Sequence, residues 1–440
     1  MSNRKLNIRV RKVQYPELPH FNWEKEREIF INHMRYKLSH DVRTSTIYDK
    51  YEEVNQNYTE KDIPYLNSLK SGIWNPTNIK DIEQTVLEIE NLKPTLVICE
   101  NSTEWNHMRR MISSMSYSKG RGRGIKFYMI DDVTKKILGL AEIASDFGSL
   151  KVRDQFIGWT KNQKFNEGKL KNTCIGATIV PVGVLGYNFY GGKLLSLLMT
   201  SGIVREAWET KYGDKLVGIT TTGLFGHKES GSQYTGLRPV WKSLGHTEGN
   251  VIMNPNDNVY KRCTEWLKKY FLEEYNYTMS KSRPKQGILK LICSKLGIVS
   301  DSLVHKFERG VYFSEFYKDT KDFLRGEIDE VTVPRFDSSI ESLVSRWKSK
   351  AIERYRKLAV QNKVKNKVLY YSNVIGKTWT WVLRRYMGIV ISKKSPSYSF
   401  ENFKLATITL TEWSNVCLKR LSQLSDIITW QYFKSFLRAN

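Results

Sequence analysis

The run Tyr190-Gly191-Gly192-Lys193 ends a turn and starts a helix. Free backbone amides at such a start can cradle a pyrophosphate. Asp154 stands beside Arg153, shortly after a hairpin. Its carboxylate suits a general base or a cofactor-orienting group, and it equally suits a structural ion pair with Arg153. Tyr234 lies in the Gly-rich stretch from Gly231 to Gly236, a setting that favours exposure and proton transfer. Trp159 and Tyr234 could sandwich an extruded base, as chemistry on a base requires, while core packing is the other role open to Trp159.

Cations form the next signal. The segment Tyr117 to Gly124 places Lys119, Arg121 and Arg123 among glycines, in a loop whose backbone can approach phosphate closely. A helix over 342–363 carries Val344, Trp347, Ala351, Tyr355 and Leu358 on one stripe. Arg346, Lys350, Arg354 and Lys357 form the neighbouring stripe, and Glu353 is the one acid within that span. Lys363, Lys365 and Lys367 extend the charge, followed by Lys377, Arg384 and Arg385. A helix that buries one face and shows cations on another fits docking to phosphates. Tyr355, Tyr370, Tyr371, Trp379 and Trp381 are interleaved aromatics that suit stacking on bases or a core.

The whole chain supports this emphasis. Its 440 residues hold 70 Lys or Arg against 45 Asp or Glu, a net charge of +25. Residues 351–440 alone hold 16 basic and 4 acidic residues, nearly half of the excess. Such a chain attracts polyanions, nucleic acid first among them. Hydrophobic residues at 40% and charged residues at 26% fit a globular protein of two or three domains. No apolar run reaches the ~18 residues of a membrane span, and the first residues lack the apolar region of a secretory signal. Cys99, Cys174, Cys263, Cys293 and Cys417 are scattered and odd in number, which argues against a disulfide framework and fits a reducing cytoplasm. The histidines form no HxxH or HExxH, and no P-loop occurs, so neither a metal site nor ATP-driven work is expected.

The elements that must position these residues follow from periodicity. Residues 7–13 read as a basic edge strand and 23–38 as a short helix. A helix is expected over 82–92, then a strand over 95–98. Ser102 is a candidate N-cap for a helix over 102–115 with Trp105, Met108, Met111 and Ile112 on one face. Strands over 125–130 and 137–144 form a hairpin, and 174–180 is another strand. One long helix over 192–211 leads to a strand over 215–221, which implies a crossover and parallel pairing. Residues beyond 255 read mainly as helices.

Arg153-Asp154-Gln155-Phe156-Ile157-Gly158-Trp159, then Trp208 to Lys215, then Tyr234-Thr235-Gly236 and Trp241 to Gly249 resemble, in order and spacing, the family of the Druantia protein DruA. That resemblance covers about residues 100 to 250 and implies a protein of anti-phage defence islands, phages or mobile elements. DruA-like chains tend to carry an acid on the strand where this chain has Thr220 and Thr221. The same region resembles the acetyltransferase-like (GNAT) fold, including the GNAT-like core of the phage Mom type of DNA-adenine modifiers. The GNAT resemblance implies a pyrophosphate-binding turn at Asn188-Phe189-Tyr190-Gly191-Gly192-Lys193, with Asn188 in place of Gln or Arg and Lys193 in place of a small residue. It implies acetyl-CoA or a related CoA thioester as cofactor.

The expected fold class is therefore α/β (α+β). A GNAT-like mixed-sheet core (101–250) follows an N-terminal mixed extension (1–100) and precedes a mainly helical basic domain (251–440). The leading function is DNA binding, on duplex DNA, with acyl-type modification of a base by Asp154 and Tyr234. A non-catalytic DNA-recognition module of a phage–host assembly is one alternative. A transposase-like nuclease built on Asp131, Asp132, Glu142, Asp146 and Asp154 is another. Oligomeric state stays open.

Overall fold

The computed structural model describes residues 8–39, 72–113, 122–223, 231–249, 252–255, 257–281, 284–304 and 308–365. Lys119, Arg121 and Lys367, and the aromatic and basic residues named beyond them in the last quarter, lie outside the described residues.

In chain order the elements are α1 (Trp23–Ser39), α2 (Ile82–Asn91), β1 (Pro94–Ile98), α3 (Ser102–Ile112), β2 (Gly124–Asp131) and β3 (Ile137–Ser145). Then come α4 (Lys151–Ile157), α5 (Lys161–Phe165), β4 (Thr173–Pro181), α6 (Gly183–Asn188), α7 (Gly191–Leu198), α8 (Gly202–Tyr212) and β5 (Gly218–Gly223). The remainder is β6 (Lys242–His246), α9 (Asp257–Tyr270), α10 (Leu272–Met279), α11 (Pro284–Lys295), β7 (Gly310–Glu315), α12 (Thr320–Leu324) and α13 (Ile340–Val360).

The seven strands form one mixed sheet in the order β1-β2-β3-β4-β5-β7-β6. The first four are antiparallel, β4 and β5 are parallel, and β7 is antiparallel to both β5 and β6. The α/β class and the parallel crossover expected from the helix between β4 and β5 are thus present. In β2, buried Ile125, Phe127 and Met129 alternate with partly exposed Lys126, Tyr128 and Ile130, the period of a strand with one covered face.

Several local expectations change. Asn101, one residue earlier than Ser102, caps α3: its side-chain oxygen accepts from the amides of Thr103 and Glu104 at 3.0 and 3.3 Å. The long helix over 192–211 is two helices. Thr200 turns its amide and hydroxyl back onto Leu197 O, at 2.9 and 2.7 Å, and the chain restarts at Gly202. Side-chain competition for a backbone acceptor at a Thr-Ser pair explains the break. The residues around Asp154, whose pattern also reads as the approach to a strand, lie in helix α4, Lys151–Ile157. Val10 makes an isolated bridge to Ile298, not a long edge strand. The sheet also takes β7 from the region expected to be helical.

One core lies between the sheet and its helices, and Val344, Trp347, Ala351 and Tyr355 of α13 belong to it. A second core joins Ile8 and α1 to residues inserted between β6 and β7, with Phe30, Leu267, Ile288 and Ile292 at its centre. A smaller third cluster packs Ile157, Trp159, Phe313 and Leu324. Among the described residues, no helix is long and apolar enough to cross a membrane.

Candidate functional site

The sheet opens in its middle. β4 and β5 pair only through Thr173–Gly218, Cys174–Ile219 and Ile175–Thr220. Immediately afterwards β4 carries an extra residue: Ile143 faces Gly176, but the preceding Glu142 faces Thr178. Ala177 is the bulged residue and is exposed, although it lies on a central strand. A bulge bends its strand and leaves local ladder groups unpaired. Among the described residues, no strand pairs with the β5-facing edge of β4 from Gly176 onward.

Side chains from three elements meet at this opening. Thr221 donates from Oγ1 to Gly176 O at 3.2 Å, spanning the gap. The same hydroxyl is 3.2 Å from Tyr234 Oη, which also accepts from Gln233 Nε2 at 2.9 Å. Gln233 lies against the start of α7: a methyl group on Gly192 would come within 2.7 Å of Gln233 Oε1. The Lys193 ammonium donates to Thr235 O. The expectation that Tyr234 is exposed is corrected, for its side chain is buried. Its ring packs on Trp241 and Tyr312, with centroids 5.0 and 4.7 Å away, and that packing outweighs the openness of the Gly-rich stretch. Burial pushes the phenol up, against hydrogen bonds with Thr221, Gln233 and Ser196, so Tyr234 holds its proton at neutral pH.

The turn before α7 is held from a distance by α13. Tyr190 adopts the left-handed conformation at φ 52° and begins the helix. The first bonds to Tyr190 O come from Lys193 and Leu194, so the amides of Gly191 and Gly192 precede them. Trp347 Nε1 donates to Phe189 O at 2.6 Å, and Arg354 donates to Tyr187 O at 3.1 and 2.9 Å. The Arg354 guanidinium also covers the Tyr190 ring at 4.3 Å. Asn188 is buried and does not reach the turn. Its amide donates to Val184 O and Lys365 O at 3.1 and 2.9 Å, and its oxygen accepts from Lys365 N at 2.9 Å. Burial, and then the nearby Lys350 ammonium, hold Lys193 below the ordinary lysine range. Lys193 and Lys350 are thus cations near the start of α7, and the side chain of Asn188 is committed to bonds within the fold.

The other cations divide into used and open. Arg346, Lys350 and Lys357 are exposed along α13, and Lys363 and Lys365 are exposed after it. Arg354 is turned inward by the bonds above. Arg123 pairs with Asp214 and covers the rings of Tyr212 and Trp208 at 4.9 and 5.9 Å.

Asp154 has the surroundings of an ion-pair anchor, one of the two roles its position allowed. Its carboxylate accepts from Arg153 at 2.7 and 3.0 Å, Trp159 Nε1 at 3.0 Å, Lys164 at 2.7 Å and Leu150 N at 3.3 Å. Burial works against its charge, but Lys164, Arg153 and Trp159 outweigh it and hold the carboxyl below its ordinary value. Arg153 also pairs with Asp146 at 2.6 Å, and Asp146 accepts from Thr220 Oγ1 at 2.7 Å. This network reaches β5 at Thr220, the last residue of that strand paired with β4 before the opening. Trp159 is buried beside it, with Arg153 over its ring at 5.3 Å. Asp131 is occupied by Lys93 N and Thr134, whereas Asp146 and Asp154 meet on Arg153, which neutralises them. Among the described residues, no group of three His, Cys, Asp or Glu side chains could hold a metal ion.

No functional role was legible in the sequence for Gln233 or Thr221, Trp347 read only as part of an apolar stripe, and the Asp146–Thr220 bond was not visible. Gly192 followed by a helix was the one local signal of a close neighbour. Thr221 to Gly176, Asp146 to Thr220 and Trp347 to Phe189 are pairings across more than 40 residues, which spacing does not reveal.

The fold and site thus define an α/β protein whose mixed sheet is split between two parallel strands, beside a helix start lined with cations. Residues 45–326 match the family model described as Druantia protein DruA, and the chain belongs to that family. It is 23% identical over 286 residues to the Druantia protein DruA of Escherichia coli (strain UMEA 4076-1), across 59% of this chain and 68% of that protein. No solved structure matches the chain. The matched span includes the opening and ends before α13.

Proposed function

We propose that this DruA-family protein binds DNA and that the opening between β4 and β5 is a GNAT-like acyl-transfer site. Family membership implies a protein of an anti-phage defence system. The observation that carries the acyl-transfer reading is the parting of two parallel strands at a bulge, directly beside the start of α7. Lys193 and the amides of Gly191 and Gly192 would hold the pyrophosphate of acetyl-CoA or a related CoA thioester, with Lys350 adding positive potential. A bound thioester would supply an activated acyl group. Tyr234 keeps its proton at neutral pH and is the acid at the base of the opening, oriented by Gln233 and Thr221. Asp154 acts through structure, holding Arg153 and Lys164 in the network that reaches Thr220. Exposed Arg346, Lys350 and Lys357 face phosphates of duplex DNA, and their helix fixes the α7 turn.

Mass spectrometry of nucleosides tests the reading. DNA incubated with the full chain and acetyl-CoA should gain an acylated nucleoside, and Tyr234→Phe should lower its yield. An unchanged nucleoside spectrum, together with DNA binding, supports the second reading, a non-catalytic DNA-recognition module. The observation favouring that module is the close approach of Gln233 to Gly192, which narrows access to the helix start.

A further inference from the structure

We infer that Phe147 and Phe165 form a stacking platform for unpaired bases of single-stranded DNA. This rests on the DNA-binding reading above and specifies a second form of its ligand. Both side chains are large, apolar and exposed, at 45% and 55%. They flank Gly148: a methyl group there would lie 3.5 Å from the Phe165 ring, so that ring rests against the Gly148 backbone. The buried ionic network fixes both. Phe147 N donates to Asp146 Oδ1 at 2.7 Å, and Arg153 donates to Phe147 O at 2.7 Å. Lys164, adjacent to Phe165, donates to Gly148 O at 3.2 Å and to Asp154 at 2.7 Å. Exposed rings on a rigid mount lose little entropy when a base stacks on them.

Net positive charge near the two rings favours an anionic occupant: after the ion pairs, Lys161, Lys169 and Lys171 stand against Glu167. Residues 147–172 hold six Lys or Arg against Asp154 and Glu167. Arg153 and Lys164 are neutralised inside by Asp146 and Asp154, and Lys151 reaches Glu248 at 2.5 Å. Lys161 is exposed and precedes Phe165 by one helical turn, so both stand on one face of that helix, where an ammonium beside the ring suits a backbone phosphate. Trp159, whose sequence position suited stacking, lies beneath this surface as part of its mount.

The test is fluorescence anisotropy of the full chain with a labelled single-stranded oligothymidylate and a labelled duplex of equal length. Phe165→Ala should weaken single-strand binding about tenfold, since each stacked base contributes on the order of 1–3 kcal/mol. Phe165→Trp should keep it, and duplex binding should move less than about twofold. Unchanged single-strand binding in both Phe165→Ala and Phe147→Ala overturns the inference, as do equal losses on both DNA forms. A protein that binds duplex but not single strands overturns the inference alone. One that binds neither removes the DNA reading as well.

Discussion

Arg153 and Asp146 form a 2.6 Å ion pair in which neither side chain has any exposed surface. The pair joins the end of β3 to α4, and through Thr220 it reaches β5. Asp146→Ala leaves a buried guanidinium with one carboxylate fewer. Breaking one partner of a buried pair costs about 3–5 kcal/mol. The expected result is a large fall in melting temperature. Asp132→Ala, which removes the exposed partner of Lys135, should change stability by less than about 0.5 kcal/mol.

Asp154 gives a pH signature. Its carboxyl lies below the ordinary value of 3.8 when folded, so the stability it adds is present above that value and is lost as pH falls through the lowered one. The gap in melting temperature between the protein and Asp154→Asn should therefore be full at neutral pH and close on acidification. A gap that widens toward acid would contradict the anchor role.

The α7 turn should depend on both the α13 contacts and the buried bonds of Asn188. Trp347→Phe keeps an aromatic ring but orphans Phe189 O, at a cost of about 1–3 kcal/mol. Asn188→Ala breaks three hydrogen bonds and should destabilise by a similar amount, read by denaturant titration. A stable Asn188→Ala that loses only CoA binding would return Asn188 to the cofactor.

These bonds show where the sequence was legible. β2 was visible because the alternation from Ile125 to Ile130 is a local property, and β3 to β5 were visible as short apolar or β-branched runs between turns. β7 was not: all six of its residues are buried, so no polar face alternates, and it needs β5 and β6 beside it to be a strand. Lys242 to His246 is polar and contains Gly245, a poor strand signal. The helix start at Gly191 was readable from its glycines. Its supports were not, since Trp347 and Arg354 arrive from more than 150 residues away.

Exposed cations of α13 should contribute to duplex affinity through counterion release. Replacing Arg346, Lys350 and Lys357 together by Gln should weaken binding at low salt. It should also reduce the slope of log affinity against log salt by roughly 0.9 for each phosphate that is no longer neutralised. Anisotropy across a salt series reads both. An unchanged slope would place the duplex elsewhere.

Calorimetric titration of acetyl-CoA into the full chain probes the proposed site most directly. Saturable one-site binding is expected, weakened about tenfold or more by Lys193→Glu, the scale of a hydrogen bond to a charged group replaced by repulsion. Absence of binding heat and of any thermal stabilisation by acetyl-CoA, or binding that Lys193→Glu leaves untouched, would contradict a CoA thioester at the parting of β4 and β5.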